Sequence, residues 1–134
     1  TYRKRTSPYP AMTTFDSGSG EVCQIRRIRT NTPLQALVTL NDTAFMGAAG
    51  ALAKRMDESA ESLREKLIYG FRLVLVRQPE ATEIDRLIDL YHALKTELES
   101  NQTFLDSAGL NKGDPQLVAL ANVLLNLDET LTKP

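Results

Sequence analysis

The sequence predicts a mostly α fold, a small bundle of four to five helices with an extended, irregular N-terminal strap. Three observations carry that expectation. From residue 33 onward, apolar residues recur at the three-and-four spacing of amphipathic helices. Ser, Thr, Asp and Pro stand where helix starts require them. Residues 33–134 contain no strict apolar–polar alternation of the kind a half-buried strand needs. The chain has 134 residues, 42% apolar and 25% charged. That length suits one domain with a core of its own, and that composition is globular rather than disordered.

Residues 1–32 are read as a basic strap packed on the bundle. They carry six basic residues (Arg3, Lys4, Arg5, Arg26, Arg27, Arg29) against Asp16 and Glu21, a net of +4, whereas residues 33–134 carry ten basic and fifteen acidic residues, a net of −5. Opposite charge draws the two parts together. Ser7-Pro8-Tyr9-Pro10 and Ser17-Gly18-Ser19-Gly20 are turn signals, and no helical period is sustained. A short strand over residues 22–28 is the one regular element considered there. Tyr2, Tyr9 and Phe15 supply the aromatic contacts for laying this strap over a helical body.

Residues 33–134 form the bundle. Thr32-Pro33-Leu34-Gln35 is a capping box with proline at the first helical position, where its missing N–H costs nothing. Leu34, Leu37 and Val38 follow on one face, the expected buried stripe. Asn41 or Asp42 caps a second segment, whose stripe is Phe45, Ala48, Ala49, Leu52, Ala53 and Met56. Gly47 and Gly50 each cost about 1 kcal/mol of helix propensity relative to alanine; close approach of a neighbouring helix is the expected reason for them. Ser59 is the expected opening of the next helix, with Leu63, Leu67, Phe71 and Val74 inward and Ile68 and Leu75 beside them. Pro79 ends it. A third long helix starts at Glu80–Glu83 or at Thr82–Asp85, acids in its first turn suiting the dipole; Ile84, Leu87, Ile88, Tyr91, Leu94 and Leu98 make its stripe. Residues 101–113 read as a loop with a short turn at residues 103–108. Asp114-Pro115 repeats the cap-then-proline signature ahead of Leu117, Leu120, Ala121, Leu124 and Leu125. No charge occurs between Asp114 and Asp128, so this last helix, ending near Leu127, is expected to be buried.

Several chemistries are excluded or weakened by composition. A single cysteine, Cys23, and a single histidine, His92, rule out a disulfide framework, a Cys-based zinc or iron–sulfur cage and a multi-His metal site. Cys23 lies near arginines that would lower its pKa, but between Val22 and Ile25 it reads as a small apolar residue. His92 falls at the edge of its helix stripe. No apolar run reaches membrane-spanning length, and no basic stretch followed by an apolar run opens the chain. Nucleic acid is not an expected partner, because the basic cluster belongs to a slightly acidic chain. Thr30-Asn31-Thr32 is formally a glycosylation sequon; capping by Thr32 is the simpler account.

The polar residues left as binding or docking candidates are Arg26, Arg27, Arg29, Asn31, Asn126, Asp128 and Glu129. No catalytic constellation and no metal site is expected among them. Asp128 and Glu129, just past a buried helix, could hold a hard cation but lack the spacing of a calcium loop. Acids at a helix C-terminus oppose its dipole, so partners are expected, with Arg26, Arg27 and Arg29 the natural ones.

Longer stretches carry a resemblance. Tyr2-Arg3-Lys4-Arg5-Thr6-Ser7-Pro8-Tyr9-Pro10, Phe15-Asp16, Glu21-Val22-Cys23, Arg29 to Leu37 with Leu40-Asn41-Asp42, Arg77-Gln78-Pro79 and Leu124 to Glu129 together resemble a planctomycete-type C-terminal domain of unknown function. The chain departs at Thr43, where that family often has proline, and at Glu80, where it often has threonine. The resemblance implies a fragment of a large exported protein, periplasmic or extracellular, with a cytochrome c-like haem domain upstream and no cofactor in this fragment. It implies the preceding domains of the same polypeptide as partners, and it supplies no catalytic residue. The leading expectation is therefore a non-catalytic structural or docking module. The alternatives are a share in a redox or polysaccharide-related active site completed by the preceding domain, and a carbohydrate- or ligand-binding module using Tyr2, Tyr9 and Phe15.

Overall fold

A computed structural model describes residues 10–16, 30, 32–100 and 113–131. Among the described residues there are seven helices and no strand: α1 (Pro10–Thr14), α2 (Pro33–Asn41), α3 (Thr43–Ser59), α4 (Leu63–Leu75), α5 (Ala81–Ser100), α6 (Pro115–Leu125) and α7 (Asp128–Leu131). The mostly α expectation holds. The strand considered at residues 22–28 and the turn at 103–108 lie outside the described residues, as do Tyr2, Tyr9 and Cys23.

The helix starts follow the caps. Thr32 and Gln35 form the full reciprocal box at the head of α2, with Pro33 at its first position. Asp42 both ends α2 and caps α3 through Ala44 N–H at 2.8 Å. Thr43 therefore occupies the first helical position of α3, the place where proline is also tolerated. Asp114 caps α6 by accepting from Gln116 and Leu117 N–H. Two boundaries differ from the sequence reading. Ser59 is the last residue of α3, and α4 begins after Ser62. The helix expected to run to Pro79 stops at Leu75, because Val76 turns the chain into the left-handed region at φ +62°.

Val76 is β-branched, 81% exposed and left-handed, so it carries backbone strain with little packing in return. Val76→Gly is expected to stabilise the domain by about 1 kcal/mol, read as a raised Tm in thermal melts. A lowered Tm would show that the exposed side chain contributes more than the strain it imposes.

The core gathers on α6. Leu117, Val118, Leu120, Ala121 and Leu124 of α6 are buried against Ala49, Leu52, Ala53 and Met56 of α3, Leu67 and Phe71 of α4, and Ile84 and Leu98 of α5. Helix α6 packs against α2, α3, α4, α5 and α7, which explains a segment apolar on nearly every side. The glycines behave differently from expectation. Added Cβ atoms on Gly47 and Gly50 would meet open space, whereas one on Gly70 would fall 2.6 Å from Met56 Sδ. The close approach in this bundle is α3 on α4 at Gly70.

Helix α2 is inverted. Gln35 and Thr39 face inward, at 5% and 1% exposure, while Leu34, Leu37 and Leu40 stand 57%, 58% and 43% exposed. The stripe of Leu34 and Leu37 expected to be buried is thus the outer ridge. The inner face is polar because it meets polar groups of Thr14, Asp16 and Thr30 and the side chain of Asn126, described next.

Candidate functional site

Two polar assemblies dominate the described surface. The first is built on Arg77, just past the end of α4. Its guanidinium forks onto both carboxylate oxygens of Glu83 at 2.7 and 2.9 Å and onto both of Glu129 at 2.8 and 2.9 Å. It also lies 4.8 Å over the Phe71 ring. One planar cation thereby joins α4, the first turn of α5 and the first turn of α7, using the forked geometry that arginine has and lysine lacks. Glu83 accepts a further bond from Glu80 N–H at 2.7 Å. Hydrogen bonds from Arg77 and from Glu80 N–H hold the Glu83 carboxyl down at about 2, from an ordinary 4.5. Arg77 holds Glu129 low as well.

These lowered carboxyls stabilise the fold when ionised. Their contribution is complete above the ordinary carboxyl range and is lost as pH falls from about 4.5 toward 2, where Glu83 protonates. Wild-type Tm is expected to drop across that interval. Glu83→Gln should start lower at pH 7 and fall less steeply. Parallel melting curves for the two proteins would count against Glu83 as a source of the acid sensitivity.

The second assembly runs from Asp16 and Thr30 into the core. Asp16 Oδ2 accepts from Thr30 N–H at 3.0 Å, from the Thr30 hydroxyl at 2.6 Å and from Gln35 Nε2 at 3.4 Å. These bonds lower the Asp16 pKa, the Thr30 hydroxyl first. Gln35 Nε2 also reaches Thr14 O at 2.9 Å and Thr30 Oγ1 at 3.0 Å, and Gln35 Oε1 accepts from Thr32 N–H at 3.0 Å. One turn on, the Thr39 hydroxyl meets Asn126 Oδ1. Asn126 Nδ2 donates to Asn122 O and Oδ1 at 3.1 and 3.0 Å, and Asn122 Nδ2 donates to Leu40 O at 3.2 Å. The result is a polar seam from Asp16 through Gln35 and Thr39 to Asn126 and Asn122. No buried side-chain nitrogen or oxygen among the described residues lacks a partner, as buried polar groups require.

A groove of about 770 Å³ lies between α3 and α6, walled by Gly47, Gly50, Ala51, Leu117 and Val118. The charged residues on its rim have partners. Asp57 pairs with Lys66 at 2.6 Å and Lys54 with Glu58 at 3.8 Å. Asp114 accepts from Tyr91 Oη at 2.8 Å while capping α6. Burial, followed by that bond, pushes the Tyr91 hydroxyl up to about 12.

The residues singled out from sequence are placed unevenly. Arg26, Arg27, Arg29 and Asn31 lie outside the described residues. Asn126 is the C-cap of α6 and part of the polar seam. Asp128 and Glu129 sit in the first turn of α7, so their charge faces a helix N-terminus and is favourable, contrary to the opposition expected. The cation paired with Glu129 is Arg77, which sequence reasoning quoted only within its family-like motif. Gln35, Thr39 and Asn122 were also missed as a set. Their signal was present, since Gln35 and Thr39 share one face of α2 and Asn122 and Asn126 one face of α6 at four-residue spacing. Phe15 is half-buried, its ring 6.0 Å from that of Phe45. His92 is exposed and edge-on to Tyr91.

Among the described residues no three His, Cys, Asp or Glu side chains gather into a metal-holding group, and no single helix is long and apolar enough to cross a membrane. No curated protein and no solved structure matches the chain. A family model does match, over residues 1–91, a span that includes α1 to α4 and the first half of α5. The chain belongs to the family of proteins of unknown function designated DUF1553, or PSD1.

Proposed function

We propose that this domain is a non-catalytic structural and docking module of a larger exported polypeptide, which carries a cytochrome c-like haem domain ahead of it. The observation that carries the first half is the mutual engagement of its polar groups. Arg77 is consumed by Glu83 and Glu129, and Gln35, Thr39, Asn122 and Asn126 bond to one another or to backbone. A nucleophile or general base needs an unengaged group in reach of a substrate, and the described clusters offer none. The haem and export parts rest on the sequence resemblance. The haem would be held upstream, since this chain has one cysteine and so no Cys-x-x-Cys-His run.

The test is to produce this chain and the haem-bearing domain of the parent polypeptide separately, mix them, and follow haem absorbance by size-exclusion chromatography. A stoichiometric complex eluting early is the expected result, with the chain alone inert toward glycans and redox dyes. Absence of a complex removes the docking role. Turnover by the chain alone, abolished by Arg26→Ala or Asp128→Ala, replaces the reading with an enzymatic one.

A further inference from the structure

Two features at one corner of the bundle lack a counterpart among the described residues. Helix α2 turns Leu34, Leu37 and Leu40 outward, each more than two-fifths exposed. Helix α3, which meets α2 at a bend of 61°, carries Gly47 and Gly50, where an added Cβ would meet open space. Each glycine costs about 1 kcal/mol of helix propensity relative to alanine, and no neighbour in the bundle calls for it. Both glycines wall the groove of about 770 Å³ between α3 and α6. The corner thus holds a ridge without a socket and a socket without a ridge.

It is also uncharged. From Pro33 to Ala51 ten residues are exposed and none of them is charged, in a chain with 25% charged residues. The one acid in that stretch, Asp42, is half-buried and caps α3. Loss of charge, rather than raw hydrophobicity, marks the centre of a protein interface. The dimensions agree. The nine residues of α2 make a ridge about 14 Å long, and the groove from Met46 to Asp57 runs about 17 Å along α3. Its charged walls on α3 begin at Lys54, toward the end remote from α2.

The occupant that matches both features is a second copy. In a twofold pair every contact is made twice, so the ridge of each copy fills the groove of the other. The area is sufficient for such a pair. The ten exposed residues, with the five half-buried uncharged ones among them, at roughly 30–40 Å² apiece bring the total for two copies to about 1,000 Å², the lower bound for a specific, reversible interface.

We propose that this chain self-associates as a weak twofold dimer through the α2–α3 corner, the leucine ridge of one protomer seated in the groove at Gly47 and Gly50 of its partner. This stands apart from the docking role proposed above, because its test uses this chain alone.

The test is sedimentation equilibrium of the purified full chain from about 1 µM to about 1 mM, a range that brackets the affinity so small a face supports. Wild type is expected to pass from monomer to dimer and to stop there. Leu37→Glu, which sets a charge on the ridge, is expected to raise the dissociation constant at least about tenfold. Gly50→Leu, whose side chain enters open groove space, must do the same, with the far-UV circular dichroism of both variants unchanged. Leu73→Glu puts the same charge on a 39% exposed leucine of α4 and is expected to leave the dimer intact. A wild-type monomer throughout overturns the proposal; if that monomer floats with phosphatidylcholine vesicles, the corner belongs to a lipid surface. Weakening by Leu37→Glu but not by Gly50→Leu overturns it as well, since the ridge then seats elsewhere. Growth past the dimer overturns the reciprocal pairing.

Discussion

Leu120→Ala is expected to lower the stability of the domain by roughly 3–5 kcal/mol, the upper part of the range for leucine truncation in a closed core. Leu120 is fully buried on α6, the helix that touches α2, α3, α4, α5 and α7. Because α6 is packed by several helices at once, no single one can shift to fill the space without loosening another contact. The cavity therefore persists, and its cost adds to the lost transfer free energy. Urea unfolding monitored by circular dichroism measures the change. A loss below about 2 kcal/mol would mean that the helices collapse onto the gap, and that the core is less rigid than its burial indicates.

Gly70→Val should be comparably damaging, at about 3 kcal/mol or more, the top of the range for overpacking. A Cβ at position 70 would lie 2.6 Å from Met56 Sδ, 2.7 Å from its Cε and 2.9 Å from its Cγ. Met56 is itself fully buried, so the whole side chain must be re-placed inside a filled core. Helix propensity favours the substitution by only a few tenths of a kcal/mol and does not offset this. The clash names its own suppressor. Gly70→Val combined with Met56→Ala is expected to be more stable than the sum of the two single losses predicts, by about 1 kcal/mol or more. Strict additivity would place the cost of Gly70→Val somewhere other than the α3–α4 contact.

Most of the bundle was legible because its signals are local. The caps at Thr32, Asp42 and Asp114 act within one turn, and the stripes of α4, α5 and α6 obey the helical period. What escaped is non-local. Leu34 and Leu37 look like core residues by hydrophobicity, and the inversion of α2 becomes visible only when Gln35 and Thr39 are seen against Asp16 and Asn126. The interruption at Val76 carries no glycine or asparagine to announce a left-handed residue. Gly47 and Gly50 drew notice by their number, whereas the tight contact falls at the lone Gly70, whose partner Met56 lies fourteen positions earlier. For the candidate site, the acidic end was visible as Asp128-Glu129. Its cation was not, since Arg77 and Glu129 are 52 positions apart in the chain.

The position of α6 has a consequence for biogenesis. The helix that unites the others is translated last among the long ones, after α2 to α5 have left the ribosome with their apolar sides uncovered. Folding in order of synthesis, the usual course for whole domains, is therefore closed to this bundle below the level of the complete unit. The nascent chain has to be kept from aggregating until residue 125 or so emerges.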